Sequence, residues 1–128
     1  MEIALKTTRR AEIVDITERV KEIVDRLSDK DSKACLVYAP HTTCSVIISE
    51  DNGVYEDLID FLSMLIPRGK WKHDKMDNNA DSHLKANLLG SEKVIPIENG
   101  KLCLGTWQSI GLAEFDGPRE RKIIVKII

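Results

Sequence analysis

The sequence predicts an α+β fold, a single domain over residues 1–128 with mostly antiparallel sheet and two to three helices. Three observations point there. The chain has 128 residues with no repeat, low-complexity tract or Ser/Pro-rich linker, which suits one core. Helix-period and strand-period segments alternate at first, and then three strand-like runs follow one another across short turns. The last run, RKIIVKII, places isoleucines on both of its faces and so asks for apolar cover on each, from a second sheet or another subunit.

Taken in order, residues 2–6 and 11–14 read as two short strands around the polar TTRR turn. Asp15 then reads as an N-cap with Glu18 three residues on, and Ile16, Val20, Ile23, Val24 and Leu27 fall on one helical face. ACLVYA and CSVIIS read as strands flanking Pro40–Thr43. A second helix runs from about Val54 to Ile66 with an apolar stripe of Leu58, Phe61, Leu62 and Leu65, and Pro67 ends it. RGKWKHDKMDNN, residues 68–79, is a polar connection long enough to suggest a working role. A third helix spans about Asp81 to Leu89 and is closed by Gly90. VIPI, the Asn99-Gly100 hairpin signal, KLCLGTW, IGLAEF, an Asp-Gly-Pro turn and RKIIVKII complete the chain as strands.

Composition removes several classes of function. Nineteen basic against 21 acidic residues, a net charge of -2, leave no basic footprint, so nucleic acid is not an expected partner. No apolar run reaches the roughly 20 residues that span a bilayer, and MEIALKTTRR lacks a signal peptide's basic start and apolar centre, so the expected location is the cytoplasm with no membrane partner. Cys35, Cys44 and Cys103 form no CxxC pair and sit in apolar runs, where a free cysteine packs as a small hydrophobe.

The three histidines carry the functional expectation. His41 enters a strand through Pro-His-Thr-Thr, His73 lies in the long connection and His83 in the third helix, and none falls in an apolar stripe. Their separations of 32 and 10 residues are either those of scattered surface groups or those of ligands gathered by the fold around a divalent metal, zinc more than magnesium. Asp74, Asp77, Asn79 and Asp81 between His73 and His83 either orient the imidazoles or keep a loop solvated. Glu50, at the far end of the strand that His41 begins, is the catalytic acid or base candidate, or else caps the next helix. Thr42 and Thr43 either donate to a bound oxyanion or form a hydroxyl turn, and Arg119 and Arg121 after the Asp-Gly-Pro turn either bind phosphate or solvate a strand start. If Trp107 and Gln108 lie in a strand they face opposite sides, Trp107 toward the core and Gln108 toward a site or interface. Glu114 and Asp116 receive no role.

HTTCSVIISED, then Pro67 followed by His73, then SHLKANLLG, then LGTWQSIGLAEFDGPRERKIIVKI together resemble the YjbQ family of small conserved hypothetical proteins, from Thr8 to the last residue. LGTWQ with a downstream E-x-DGPR, and HTT with Glu50 seven residues after its second threonine, are the specific part of the match. Ser82 stands before His83 where the family pattern has alanine, a change too mild to move the imidazole. The resemblance implies a compact α+β domain with a mostly antiparallel β-sandwich, forming a homotrimer through packed sheets. It also implies an activity like that of secondary thiamine-phosphate synthase, joining a pyrimidine pyrophosphate to a thiazole phosphate, and hence a phosphorylated small-molecule substrate. His41, Thr42, Thr43, Glu50, His73, His83, Gln108 and Arg119 carry over as motif positions. A zinc-assisted hydrolase and a noncatalytic metabolite-binding trimer stand as alternatives.

Overall fold

In the computed structural model, which describes residues 1–128, eight strands and three helices follow in the order β1 (Glu2–Lys6), β2 (Glu12–Asp15), α1 (Thr17–Leu27), β3 (Ala34–Tyr38), β4 (Cys44–Ser49), α2 (Val54–Leu65), α3 (Ala80–Leu89), β5 (Glu92–Glu98), β6 (Lys101–Leu102), β7 (Ser109–Glu114) and β8 (Glu120–Ile127). Two sheets form, one of five strands in the order β1-β8-β3-β5-β6 and one of three in the order β2-β7-β4, and every pairing is antiparallel. Alternation along β8 turns Arg121, Ile123 and Val125 inward, and Ile123 and Val125 join Val37, Ile95 and Ile3 of the large sheet and Val46, Ile110 and Leu112 of the small one in one core. The apolar face of α1, carrying Ile16, Val20, Ile23 and Val24, closes this core.

The small sheet is covered twice. Its second face carries Ile47, Ala113 and Phe115 against Leu62 of α2 and Ala86 of α3, so every residue of β7 is buried. Gly111 of β7 lies where a Cβ would come within 2.7 Å of Ile13 Cγ2, so only glycine lets the neighbouring chain approach. The sandwich is therefore two sheets with a helix layer over one of them.

The expected elements form, with local differences. The N-cap of α1 is Ile16, without a side-chain cap, instead of the expected Asp15, whose Oδ1 one residue earlier accepts from Thr17 N–H at 2.9 Å and Thr17 Oγ1 at 2.6 Å. In α2 only Leu62 is buried, while Phe61 and Leu65 are about half exposed, because the helix lies over a narrow sheet with more apolar circumference than the sheet covers. The run KLCLGTW forms a strand only at Lys101–Leu102, and this overturns two expectations. Cys103 is exposed instead of core, and Trp107, in a turn instead of a strand, is 76% exposed. In β8 the outward positions are Lys122, Ile124 and Lys126, so apolar character on that face comes from Ile124 with Leu36, Tyr38 and Val94 of its neighbours.

Candidate functional site

Antiparallel register fixes where the polar motifs meet. Cys44, the first residue of β4, pairs with Glu114, the last of β7, so the connections β3–β4 and β7–β8 emerge at the same end of the sandwich. Helix α3 is held over that end by Ser45 Oγ, which donates to the Ala86 carbonyl at 3.1 Å. Between these segments opens a cavity of about 810 Å³. Pro40, His41, Thr42 and Thr43 form one wall, His83, Ala86 and Asn87 a second, Asp116, Arg119 and Arg121 a third, with Asp77, Asn79, Tyr38 and Ser91 completing the rim. The lining is almost wholly polar.

One wall rests on a buried ion pair. Glu114, fully buried, accepts from Arg121 Nε at 2.8 Å and Thr7 Oγ1 at 2.7 Å through Oε1, and from Arg121 Nη2 and the Asp116 N–H through Oε2. Arg121 Nη2 also donates to Thr43 Oγ1 at 2.8 Å. Burial pushes the Glu114 carboxyl upward, but the Arg121 and Thr7 hydrogen bonds more than reverse this and hold it below the usual carboxylate range, so the pair is ionised. Cys44 Sγ lies 3.5 Å from Glu114 Oε2, and burial next to that carboxylate pushes the thiol up to about 12. Cys44 is thus a protonated core thiol. Thr43 belongs to this network, whereas Thr42 stands in the cavity wall with its side chain exposed. Arg119 curls onto its own turn, donating from Nε to the Asp116 carbonyl at 2.7 Å and from Nη2 to Asp116 Oδ2 at 3.1 Å.

The imidazoles do not converge on one point. His41 Nε2 lies 3.0 Å from both the N–H and the carbonyl of Lys122, plugging the β8 backbone where Pro40 cannot continue β3. Burial lowers its pKa below 6.5 despite that backbone hydrogen bond, so the ring is neutral at pH 7. His73 lies outside the cavity lining and meets His83 edge to face at 4.8 Å between ring centres. Its Nε2 is buried without a hydrogen-bond partner, with Asp77 Oδ2 at 3.7 Å. No group of three His, Cys, Asp or Glu side chains is spaced to hold a metal ion, so the expected zinc on His41, His73 and His83 does not fit these residues.

The acidic residues beside the histidines divide in the same way. Asp74 binds the Trp71 and Ala80 N–H groups at 3.0 Å each, tying the 3₁₀ turn Lys72–Lys75 to the start of α3, and those bonds lower its pKa. Asp81 is buried against Lys85 Nζ at 3.0 Å and Arg10 Nη2 at 3.1 Å. Asn79 donates to Asp116 Oδ2 at 2.9 Å, and only Asp77 approaches an imidazole.

Glu50 and Gln108 lie elsewhere. Ser49 pairs with Ser109 at the other end of β4 and β7, five residue steps or about 17 Å from the Cys44–Glu114 pair. There Glu50, Asp51, Asn52, Trp107 and Gln108 line a separate depression of about 590 Å³. Gln108 Oε1 accepts the Gly105 N–H at 2.9 Å, locking the turn that displays Trp107. Glu50 does not cap α2, whose N-cap is Gly53 with no side-chain hydrogen bond. Within one chain, therefore, Glu50 cannot act on a ligand beside His83. Sequence reasoning passed over Glu114. Its signal was a glutamate inside IGLAEF, a run otherwise apolar enough to be wholly buried, with arginines seven or fewer residues downstream.

Fold and cavity define a small α+β protein with a two-sheet sandwich, a helix layer over the smaller sheet and a polar cavity at one sheet end. A family profile described as UPF0047 protein YjbQ-like matches residues 1–128, and the chain belongs to that family. A UPF0047 protein from Archaeoglobus fulgidus is 52% identical over the full length of both chains. Among solved structures, a protein of unknown function from Sulfolobus solfataricus superposes with a TM-score of 0.94 at 42% identity, covering 99% of this chain and 94% of the other. A hypothetical protein from Aeropyrum pernix superposes at 0.95 with 38% identity over 100% and 96%. No helix is long and apolar enough to cross a membrane.

Proposed function

We propose that the chain is a small-molecule enzyme whose cavity takes a phosphorylated substrate, with group transfer of the thiamine-phosphate synthase kind as the reaction to test. One observation carries this reading. Thr42, His83, Arg119 and Arg121, from three separate segments, line a single cavity of about 810 Å³, large enough for a heterocycle bearing a phosphate. Arginine N–H groups and the Thr42 hydroxyl suit phosphoryl oxygens, and Asn87 and Asp116 suit the edge of a nitrogen heterocycle. His83 replaces Glu50 as the side chain placed to move a proton in the cavity. The zinc-assisted hydrolase alternative needs a metal seat that these imidazoles do not form. The test is to incubate the protein with the pyrimidine pyrophosphate and thiazole phosphate and follow thiamine phosphate by chromatography. Product that is lost in His83→Asn supports the reading, while saturable binding without turnover would make the chain a binding module.

The homotrimer belongs to this reading. Leu36 pairs with Val94 and Tyr38 with Ile124 on the outer face of the large sheet, giving an apolar surface that a second copy would cover. Light scattering tests this directly, and Val94→Lys is expected to shift the assembly to monomer.

A further inference from the structure

We propose that Arg121 is the fixed oxyanion anchor of the cavity, offering Nη1 to a phosphoryl oxygen, and that the buried Glu114 is the residue that positions it. This rests on the proposed phosphorylated ligand and goes further by naming the atom that holds it. Arg121 is 7% exposed and lines the cavity. Its Nε and Nη2 are committed to Glu114, and Nη2 also to Thr43, so Nη1 alone has no partner in the chain. Nη1 carries two N–H groups with no acceptor in the chain and is not sealed from solvent, so an anion in the adjoining cavity would meet donors already held in place.

The other cavity arginine lacks these properties. Arg119 has a side chain 55% exposed, bound to Asp116 on its own turn, and must leave that contact to reach a ligand. Arg121 is already immobilised, because the side-on pairing through Nε and Nη2 sets the plane of the guanidinium and Thr43 fixes its rotation. Binding there orders no long side chain. Glu114 also cancels most of the arginine's charge, so this position recognises an oxyanion by aimed N–H groups rather than by a broad positive field. Lysine cannot reproduce the arrangement. One ammonium cannot satisfy both Glu114 oxygens and Thr43 while presenting a further donor in a fixed plane.

The test is calorimetric titration of inorganic pyrophosphate into the wild type, Arg119→Gln, Arg121→Lys and the double variant Glu114→Met with Arg121→Met, each checked for folding by thermal melting. The double variant replaces the whole buried pair with apolar volume, a change that folded proteins tolerate, so loss of binding in it does not reflect an unpaired buried charge. Wild-type binding is expected to weaken about tenfold or more in Arg121→Lys and in the double variant, and less in Arg119→Gln. In nitrogen-detected NMR of the wild type, pyrophosphate is expected to shift the Arg121 Nη1 resonance. That shift should be lost in Glu114→Gln although the arginine keeps its charge, a result that a purely structural Glu114 would not give. Wild-type affinity in both Arg121 variants, with loss in Arg119→Gln, overturns the anchor and leaves the proposed function standing. Absence of saturable pyrophosphate binding to the wild type overturns both.

Discussion

The two ends of the β4–β7 ladder carry motifs of similar composition and treat them in opposite ways. At the Cys44–Glu114 end the polar side chains are bound to one another through a buried ion pair, and the groups left over line a cavity. At the Ser49–Ser109 end Glu50 and Trp107 stand in solvent on turns, and the tight interactions, Tyr55 Oη with Ser109 Oγ at 2.6 Å and Ser109 Oγ to the Ser49 carbonyl at 2.6 Å, lie beneath them. A polar residue is therefore not marked as functional by standing at a sheet end. What separates the two ends is whether buried partners fix its direction.

This contrast is sharpest in stability. Glu114→Ala leaves the Arg121 charge buried and unpaired and is expected to cost about 3–5 kcal/mol, whereas Glu50→Ala is expected to stay within about 0.5 kcal/mol, both read from urea unfolding. Equal losses would erase the distinction. Gly111→Ala forces a Cβ to within 2.7 Å of Ile13 Cγ2 and 3.1 Å of Tyr55 Oη. It should cost about 1–3 kcal/mol, since the backbone beneath the exposed turns is as closely packed as that beneath the cavity. Tyr55→Phe removes the hydroxyl from Ser109 and should cost about 1 kcal/mol in the same measurement.

Acid should separate the components of the cavity end in sequence. His41 has its pKa lowered below 6.5 by burial, so between its folded value and 6.5 the unfolded chain binds more protons and stability falls as the pH drops. Glu114 and Asp81 keep lowered carboxyl pKa values, so the stability they give is present above 4.5 and 3.8 and is lost as pH falls through their folded values. A pH series of urea midpoints should show both stages, and His41→Gln should flatten only the upper one. The smallest effect belongs to Trp107→Ala, expected within about 0.5 kcal/mol because the ring is 76% exposed; a larger shift in melting temperature would mean that the ring is covered in solution by another copy of the chain.

The sequence made the architecture legible to the degree that periodicity carried it. Alternation located seven of the eight strands to within a residue or two, the helical stripes located α1 and α2, and Gly90 marked the end of α3. It failed where a run was apolar without being a strand. In KLCLGTW, apolar residues continue past Leu102, but Gly105 and the Gln108 side chain close a turn there, a side-chain contact that no period reports. The site was half legible. His41, Thr42, His83 and Arg119 could be grouped as polar residues at element ends, and the cavity does gather them. Which end of β4 each occupied depends on register, and the direction of His41 depends on a backbone vacancy opposite Pro40. Glu114 was hidden because its burial follows from the packing of the small sheet against the large one, where Arg121 of β8 meets it, an arrangement that local pattern does not encode.

Strand order has one more consequence. β7 lies between β2 and β4, and β8 between β1 and β3, yet both follow all four of those neighbours along the chain. A ribosome making this protein therefore releases β1 to β4 before either central strand exists, and both half-built sheets present open edges until residues 109–127 emerge. Assembly has to wait for the last strands and then close both sheets together. Between synthesis of β4 and of β8 the unpaired strand edges are exposed to pairing with other chains.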